Sequence, residues 1–408
     1  MSETQKHTKP NVPNLRFPGF EGEWKTVSLG DLFEIGSSKR IFESQWRNTG
    51  IPFYRTREIV SLINGTPFSS PIFIDENLFK DFIRKYGDIQ AGDMLVTGVG
   101  TIGQMYVVPE TNKFYFKDGN VIWFKHNPSI SSYFIKHLFS TKTIVSQLQN
   151  NASITTVATY TIEGAKKTKA IIPSKSEQDK IASFLNLLDE RISIQSKVIE
   201  DLKKLKAALC SSLFSHGRTI AVALSDIGES FSTMNLSKED LTDSGAECIL
   251  YGELFTTYDR VIKDVKSHTL IETNEGVTIS GLNDLLFPAS TTVDAISLIA
   301  PAAISKPGVI LGGDMFGIRL RAQYNNLYMS NLLYHCYRRE LASYAQGSTI
   351  IHLHYKDIKR IKIQVHPKEL QDVIASTLDL LDRRIADEQR ILDYYTRQKT
   401  YLAGKMFI

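Results

Sequence analysis

Two stretches of the chain carry the same apolar rhythm. In the first, Ile181, Leu185, Leu188, Ile192, Ile199, Leu202 and Leu209 fall at 4-3 spacing, broken by Gln195 and Lys206. In the second, Ile374, Leu378, Leu381, Ile385, Leu392, Tyr395 and Leu402 repeat it, broken by Glu388 and Lys399. Apolar heptads sustained over several turns predict two long helices with a coiled-coil seam, and matched polar interruptions would fix their register when they pair. A helix packed only on its own domain would also show such a stripe. Pro173, then Ser174 with Glu177 three residues on, reads as a helix start with a capping box. At 39 residues each helix would be about 58 Å long. One copy lies mid-chain and the other near the C-terminus, so an antiparallel pair would set a globular unit at each end of a rod.

The stretches before these helices alternate differently. Short β-branched and aromatic runs at 51–54, 93–97, 104–108 and 121–125 predict strands, followed by a helix near 132–149. Counterparts in the second half are strands at 248–251, 284–288 and 309–311, and a helix over 326–344. The fold class is therefore α+β: two mixed α/β units related by an internal repeat and separated by two long helices forming an antiparallel coiled coil. We place a flexible N-terminus at 1–14, a first globular unit at 15–172 and a central helix at 173–215. A second unit follows at 216–366 and a C-terminal helix at 367–408.

The repeat is explicit in the residues. QDKIASFLNLLDERI at 178–192 matches QDVIASTLDLLDRRI at 371–385 in eleven of 15 positions, at an offset of 193. Fainter echoes align Leu29-Gly-Asp-Leu32 with Leu224-Ser-Asp-Ile227, and Gly92-Asp-Met-Leu95 with Asn283-Asp-Leu-Leu286. Tyr160 ahead of Pro173 answers Tyr355 ahead of Pro367. Similarity is high in the helices and low in the units, the pattern of one scaffold carrying two differently specialised surfaces.

Composition narrows the class without naming a ligand. With 408 residues, 42% hydrophobic and 23% charged, the chain has material for two or three domains. The net charge of +4 permits a nucleic-acid partner without requiring one. The helices together carry −1, so the positive excess belongs to the units. Three scattered cysteines, Cys210, Cys248 and Cys336, give neither a disulfide framework nor a zinc motif. The start lacks a signal-peptide core, and the most apolar stretch is broken by Pro301, Lys306 and Pro307. We expect a soluble, cytoplasmic protein with no membrane contact.

Searches for catalysis return nothing: no Walker A, HExxH, GxSxG, kinase set or adenine-methyltransferase signature. GVGTIG at 98–103 matches GxGxxG formally, but QMYVVP after it reads as a strand, whereas the dinucleotide fingerprint requires a helix there. The turn is either a plain hairpin or one that brings backbone amides to a phosphate or groove edge. His352-x-His354 lacks the further ligands that a metal site needs, so no metal is expected.

The candidate ligand-reading residues are polar and basic groups on turns and strand edges, the types that hold phosphates and read base edges. In the first unit they are Lys39, Arg40, Arg55, Arg57, Thr101, Gln104, Ser153, Thr155 and Thr156. In the second they are Ser290, Thr291, Thr292, Ser348, Thr349, His352 and Lys356.

The tandem pattern resembles the specificity subunits of type I restriction–modification enzymes. The resemblance rests on the duplicated QD-x-IAS helices after Pro173 and Pro367, on IPFYRTREI at 51–59, and on GDMLVTGVGTIGQ at 92–104. LRFPGF at 15–20, Trp24 and LGDL at 29–32 add to it. It implies two target-recognition domains, each reading half of a bipartite asymmetric site on double-stranded DNA, with paired helices that dock two modification subunits. Half-sites about one helical turn apart, near 10 bp, would suit this arrangement. Adenine N6 methylation and ATP-driven cleavage would belong to the modification subunits and to two restriction subunits. S-adenosylmethionine, ATP and Mg2+ would be bound there, with no cofactor on this chain. The second unit departs from the pattern where Pro288-Ala-Ser-Thr-Thr-Val293 replaces the glycine turn. Two other classes stay open: a coiled-coil adaptor for proteins, and an enzyme using 98–103 as a cofactor loop.

Overall fold

A computed structural model describes residues 11–109, 113–117, 119–150, 158–233, 235–272 and 276–408. The chain divides into two compact units. One comprises residues 1–196 with 391–408, the other 197–390.

Each unit is built on the same two sheets. In the first, Ile35–Gly36, Val121–Phe124, Met94–Thr97 and Met105–Val107 form an antiparallel sheet in that order. In the second, Gly228–Ser232, Met315–Leu320, Asp284–Pro288 and Ala302–Ile304 follow the same order, with Val261–Ile262 added at the edge. The other sheet of the first unit runs Trp46–Arg47, Ile72–Ile74, Ile51–Tyr54, Tyr115–Phe116, and its last pair is parallel. Leu241–Thr242, Ser267–Thr269, Ala246–Leu250 and Ile310–Gly312 reproduce it, again with a parallel last pair. The repeat faint in the sequence is thus complete in topology.

Strands at 51–54 and 284–288 form where their apolar runs place them. The two long helices expected after the sheets are broken. Ser132–Leu138 and Lys142–Asn150 replace the first, with a turn in which the Ser140 and Thr141 hydroxyls donate to main-chain carbonyls. Asn326–Cys336 and Arg338–Ala342 replace the second. Hydroxyls that satisfy nearby carbonyls offer the backbone an exit from the helix.

Buried carboxylates brace both units at one position. Asp93 accepts from Gln90 N (2.8 Å), His126 N (2.7 Å) and Trp123 Nε1 (2.9 Å). Asp284 accepts from Gly281 N (2.6 Å) and pairs with Arg319 (3.0 Å).

The long helices are Lys175–Ser215 and Lys368–Met406. Within the first unit Asp189 pairs with Lys399, and the Arg191 guanidinium stacks 4.7 Å over Tyr395. Within the second, Lys206 meets Asp382 at 2.5 Å, and Cys210 shares a core with Ile374 and Leu378. Rising numbers on one helix meet falling numbers on the other, so the pairing in each unit is antiparallel. The seam positions Leu188, Ile192, Ile199, Leu202, Leu209, Leu381, Ile385, Leu392, Tyr395 and Leu402 are buried or half-buried. Both polar interruptions at Lys206 and Lys399 are ion pairs to equivalent aspartates, an arrangement in which each helix copy supplies one lysine and one aspartate.

Three expectations change. Ile181, Leu185, Ile374 and Leu378 pack into the globular cores, so the first turns of each helix anchor it to its own unit. Glu177 does not complete a capping box: its carboxylate takes two hydrogen bonds from Arg16, both 2.8 Å. The counterpart of Tyr160 is Leu353, not Tyr355, because Tyr160 N donates to Gly98 O and Leu353 N donates to Ala289 O.

The duplicated glutamine explains part of the motif. Gln178 accepts from Ser131 N (2.9 Å) and donates to the Pro173 carbonyl (3.0 Å). Gln371 accepts from Asn325 N (2.9 Å) and donates to the His366 carbonyl (2.8 Å). Both are almost fully buried, 1% and 2% exposed, so Gln178 satisfies two main-chain groups and Gln371, which also donates to Gln323 O at 3.3 Å, satisfies three.

Candidate nucleic-acid interface

In the first unit, residues 98–103 form the tip between the antiparallel strands Met94–Thr97 and Met105–Val107. The Thr97 hydroxyl donates to the Thr101 carbonyl and accepts from Gln104 N (3.1 Å), closing the turn. Gly103 sits at φ +84°, and a Cβ there would stand 2.4 Å from Leu148. A strand, not a helix, follows, so the formal GxGxxG is a hairpin without the helix N-terminus that holds a pyrophosphate.

The other first-unit candidates separate. Lys39 and Arg40 are exposed on a loop; Lys39 N donates to the Tyr115 hydroxyl (2.9 Å) and its ammonium lies 5.1 Å over Tyr86. Arg40 lines a cavity of about 330 Å³ with Phe42, Trp46, Lys117 and Asn120. Arg55 and Arg57 are turned to a structural task. Arg55 grips Glu58 through Nε (2.9 Å) and Nη2 (2.6 Å), Arg57 adds a third bond (2.7 Å), and both donate to Ser70 O. Burial pushes the Glu58 carboxyl upward, but the two arginines and the Arg55 amide outweigh it and hold the group below the usual carboxylate range. Thr101 is exposed at the hairpin tip, and the Gln104 Oε1 is buried without a partner among the described residues. Ser153, Thr155 and Thr156 lie outside the described residues.

In the second unit the candidates converge. Ser290–Thr291 pairs with Ile351–His352, and Gln346 exchanges two hydrogen bonds with His352 (2.8 and 2.7 Å). Residues 346–352 therefore make a tight hairpin whose tip exposes Ser348, Thr349 and Ile350. Gly347 is required there, since a Cβ would stand 2.0 Å from the Ile350 carbonyl. Thr292 is exposed beside this ribbon, whereas Ser290 is only 7% exposed. His352 Nδ1 lies 3.8 Å from the Asp314 carboxylate, and its ring stacks on His354 with centroids 6.1 Å apart. Lys356 lines a cavity of about 610 Å³ with Ser230, Phe231, Asp314, His354 and Tyr355.

Among the described residues no group of three or more histidines, cysteines or carboxylates is placed to hold a metal ion. No described helix is long and apolar enough to cross a membrane. Phe42, Lys117, Asn120, Phe231 and Asp314 were not singled out from the sequence. A shared signal exists in retrospect: a glycine followed by Asn or Asp, Gly119-Asn120 and Gly313-Asp314, directly before an apolar strand.

The comparisons with known proteins agree with one another. The family described as Type I restriction modification DNA specificity domain matches residues 21–204 and again residues 221–394. A putative type I restriction enzyme specificity subunit of Haemophilus influenzae is 30% identical over 164 residues, which is 40% of this chain and only 39% of that protein. A putative specificity subunit of a type I restriction enzyme from Methanocaldococcus jannaschii is 23% identical over 402 residues, 93% of this chain and 91% of its own length. Among solved structures, a type I restriction–modification S subunit from M. genitalium superposes with a TM-score of 0.62 at 17% identity, covering 97% of this chain and 99% of that one. A chain from a study of type I restriction–modification assembly and conformational transition gives 0.53 at 15% identity, covering 94% and 96%. The two matched segments contain both sheet pairs described above and most of both long helices, so the chain belongs to the type I restriction–modification DNA specificity family and carries two copies of its domain.

Proposed function

We propose that the first unit reads one half of a bipartite, asymmetric DNA target and the second unit reads the other half. The observation that carries this reading is the contrast within the repeat. Gln178 and Gln371 hold the helices to the units by the same bonds, while the loops around residues 98–103 and 289–293 share a position and, apart from Thr101 and Thr292, differ in their side chains. Constant anchors with divergent tips suit a protein that must present two unlike half-site readers on one frame.

The paired helices set the unread spacer and dock two modification subunits. This chain then acts as a non-catalytic recognition subunit in the cytoplasm, binding no cofactor itself. S-adenosylmethionine serves a methyltransferase in the modification subunits, and ATP with Mg2+ serves two restriction subunits. A net charge of +4 fits a subunit whose partners supply part of the phosphate contacts.

The test removes one heptad from each long helix, residues 192–198 and 385–391, in a chain co-expressed with a compatible modification subunit. Mapping N6-methyladenine should show both half-sites unchanged and the spacer altered, or methylation lost. Altered half-sites with an intact spacer would contradict the ruler role.

A further inference from the structure

The two cavities described above differ in most of their walls but share one equivalent turn of the repeat, Gly119-Asn120 in the first and Gly313-Asp314 in the second. Gly98 N donates to Asn120 O at 2.8 Å, and Ala289 N donates to Asp314 O at 2.8 Å. Gly119 and Gly313, one residue earlier, both adopt positive φ, +73° and +84°. Val121 and Met315, one residue later, both open the strand that pairs with the sheet's next member. Asn120 and Asp314 are therefore structural equivalents, set by the same turn, with their carbonyls committed to the same hydrogen bond. Only the side chain is left to differ.

Each side chain lines a cavity beside the loop that carries the divergent tip. Asn120 shares its cavity with Arg40, Phe42 and Lys117; Asp314 shares its own with Phe231, His354 and Lys356. Phe42, on the wall of the first cavity, is 61% exposed. Among the described residues the Asn120 amide makes no hydrogen bond. The Asp314 side chain is 47% exposed and 3.8 Å from His352 Nδ1.

We propose that Asn120 and Asp314 are paired specificity determinants, one in each unit, each reading a base edge from an equivalent position in the fold. This rests on the recognition role proposed above. The chemistry sets what each would read. A carboxylate close to DNA phosphates is repelled unless it accepts from a donor, and it has only acceptor atoms to offer. In the major groove the exocyclic amino group of cytosine, N4, is the donor that a carboxylate pairs with, whereas a carboxamide both donates to N7 and accepts from N6 of adenine. Asp314 thus selects cytosine and Asn120 selects adenine. Lysine and arginine on the same cavity walls hold the backbone and carry no sequence information.

The test uses the full chain assembled with its modification subunit and a duplex library randomised over both half-sites, with bound duplexes sequenced. Asp314→Asn should change one position of one half-site from cytosine to adenine, a shift in preference of about 5- to 150-fold. Asn120→Asp should change one position of the other half-site in the opposite sense. Variant motifs identical to that of the wild-type chain overturn the proposal, and so does loss of preference across a whole half-site. A wild-type complex that enriches no bipartite motif overturns the recognition role itself, a result distinct from either variant's failure.

Discussion

The duplicated glutamine is the most direct test of how the helices are fastened. Replacing Gln178 with leucine keeps the volume and removes both polar contacts. Ser131 N loses an acceptor and the Pro173 carbonyl loses a donor, at a site where the side chain is 1% exposed. Each of the two abandoned buried groups costs about 1–3 kcal/mol, and the added apolar burial returns about 1, so the net loss is about 1–5 kcal/mol. All three tryptophans, Trp24, Trp46 and Trp123, lie in the first unit, so their fluorescence follows that unit alone. With a denaturant slope of about 3 kcal/mol/M for a unit of this size, the urea midpoint should fall by about 1 M. Asp179→Asn, at an exposed position on the next residue, should leave it unchanged. A Gln178→Leu midpoint within about 0.3 M of wild type, under 1 kcal/mol at that slope, would refute the reasoning.

Two further predictions concern charge. Burial holds His137 down to about 4 despite its hydrogen bond to Asn186, while the unfolded imidazole titrates near 6.5. The unfolded state therefore binds more protons between these values, and the first unit should lose about 3 kcal/mol as pH falls from about 6.5 to about 4. Urea midpoints followed by fluorescence check this, and His137→Gln should flatten the profile over that window. At the seam, Lys206→Met leaves the Asp382 carboxylate half-buried and unpaired, costing about 2–4 kcal/mol, whereas Lys206→Met with Asp382→Leu should recover most of it. Burial raises the Asp382 pKa against the pull of Lys206, so the carboxylate is already partly penalised for its burial. A double-mutant cycle in urea, read by far-UV ellipticity, measures the coupling, and additive losses would contradict it.

How much was legible follows from what each signal encodes. The helices were, because a 3.5-residue period survives wherever a seam must be buried, from Leu188 to Leu209 and from Leu381 to Leu402. The strand at 284–288 was, because all five of its residues are buried and the sequence there has little latitude, and the strand at 51–54 was, because its β-branched and aromatic residues carry the signal although only Phe53 is fully buried. The task of Glu177 was not: a capping box and a salt bridge to Arg16 need the same carboxylate, and only the folded N-terminal segment brings that arginine within 2.8 Å. Arg55 and Arg57 show the same limit. A basic pair on a strand end reads as a ligand contact, and the sequence does not show that both side chains also brace the buried Glu58, three residues from one and adjacent to the other. Asn120 and Asp314 were hidden for a different reason. Their equivalence lies in main-chain bonds to Gly98 and Ala289, and the residues themselves do not match.

In the proposed role, this chain chooses the DNA sequence that a partner modifies. A genome-wide map of N6-methyladenine, in cells expressing a compatible modification subunit with and without this chain, tests it most directly. One bipartite motif with a fixed spacer should be methylated, and that methylation should disappear when the chain is omitted. No new methylation, with the modification subunit bound to the chain and active, would contradict it and favour a protein-binding adaptor.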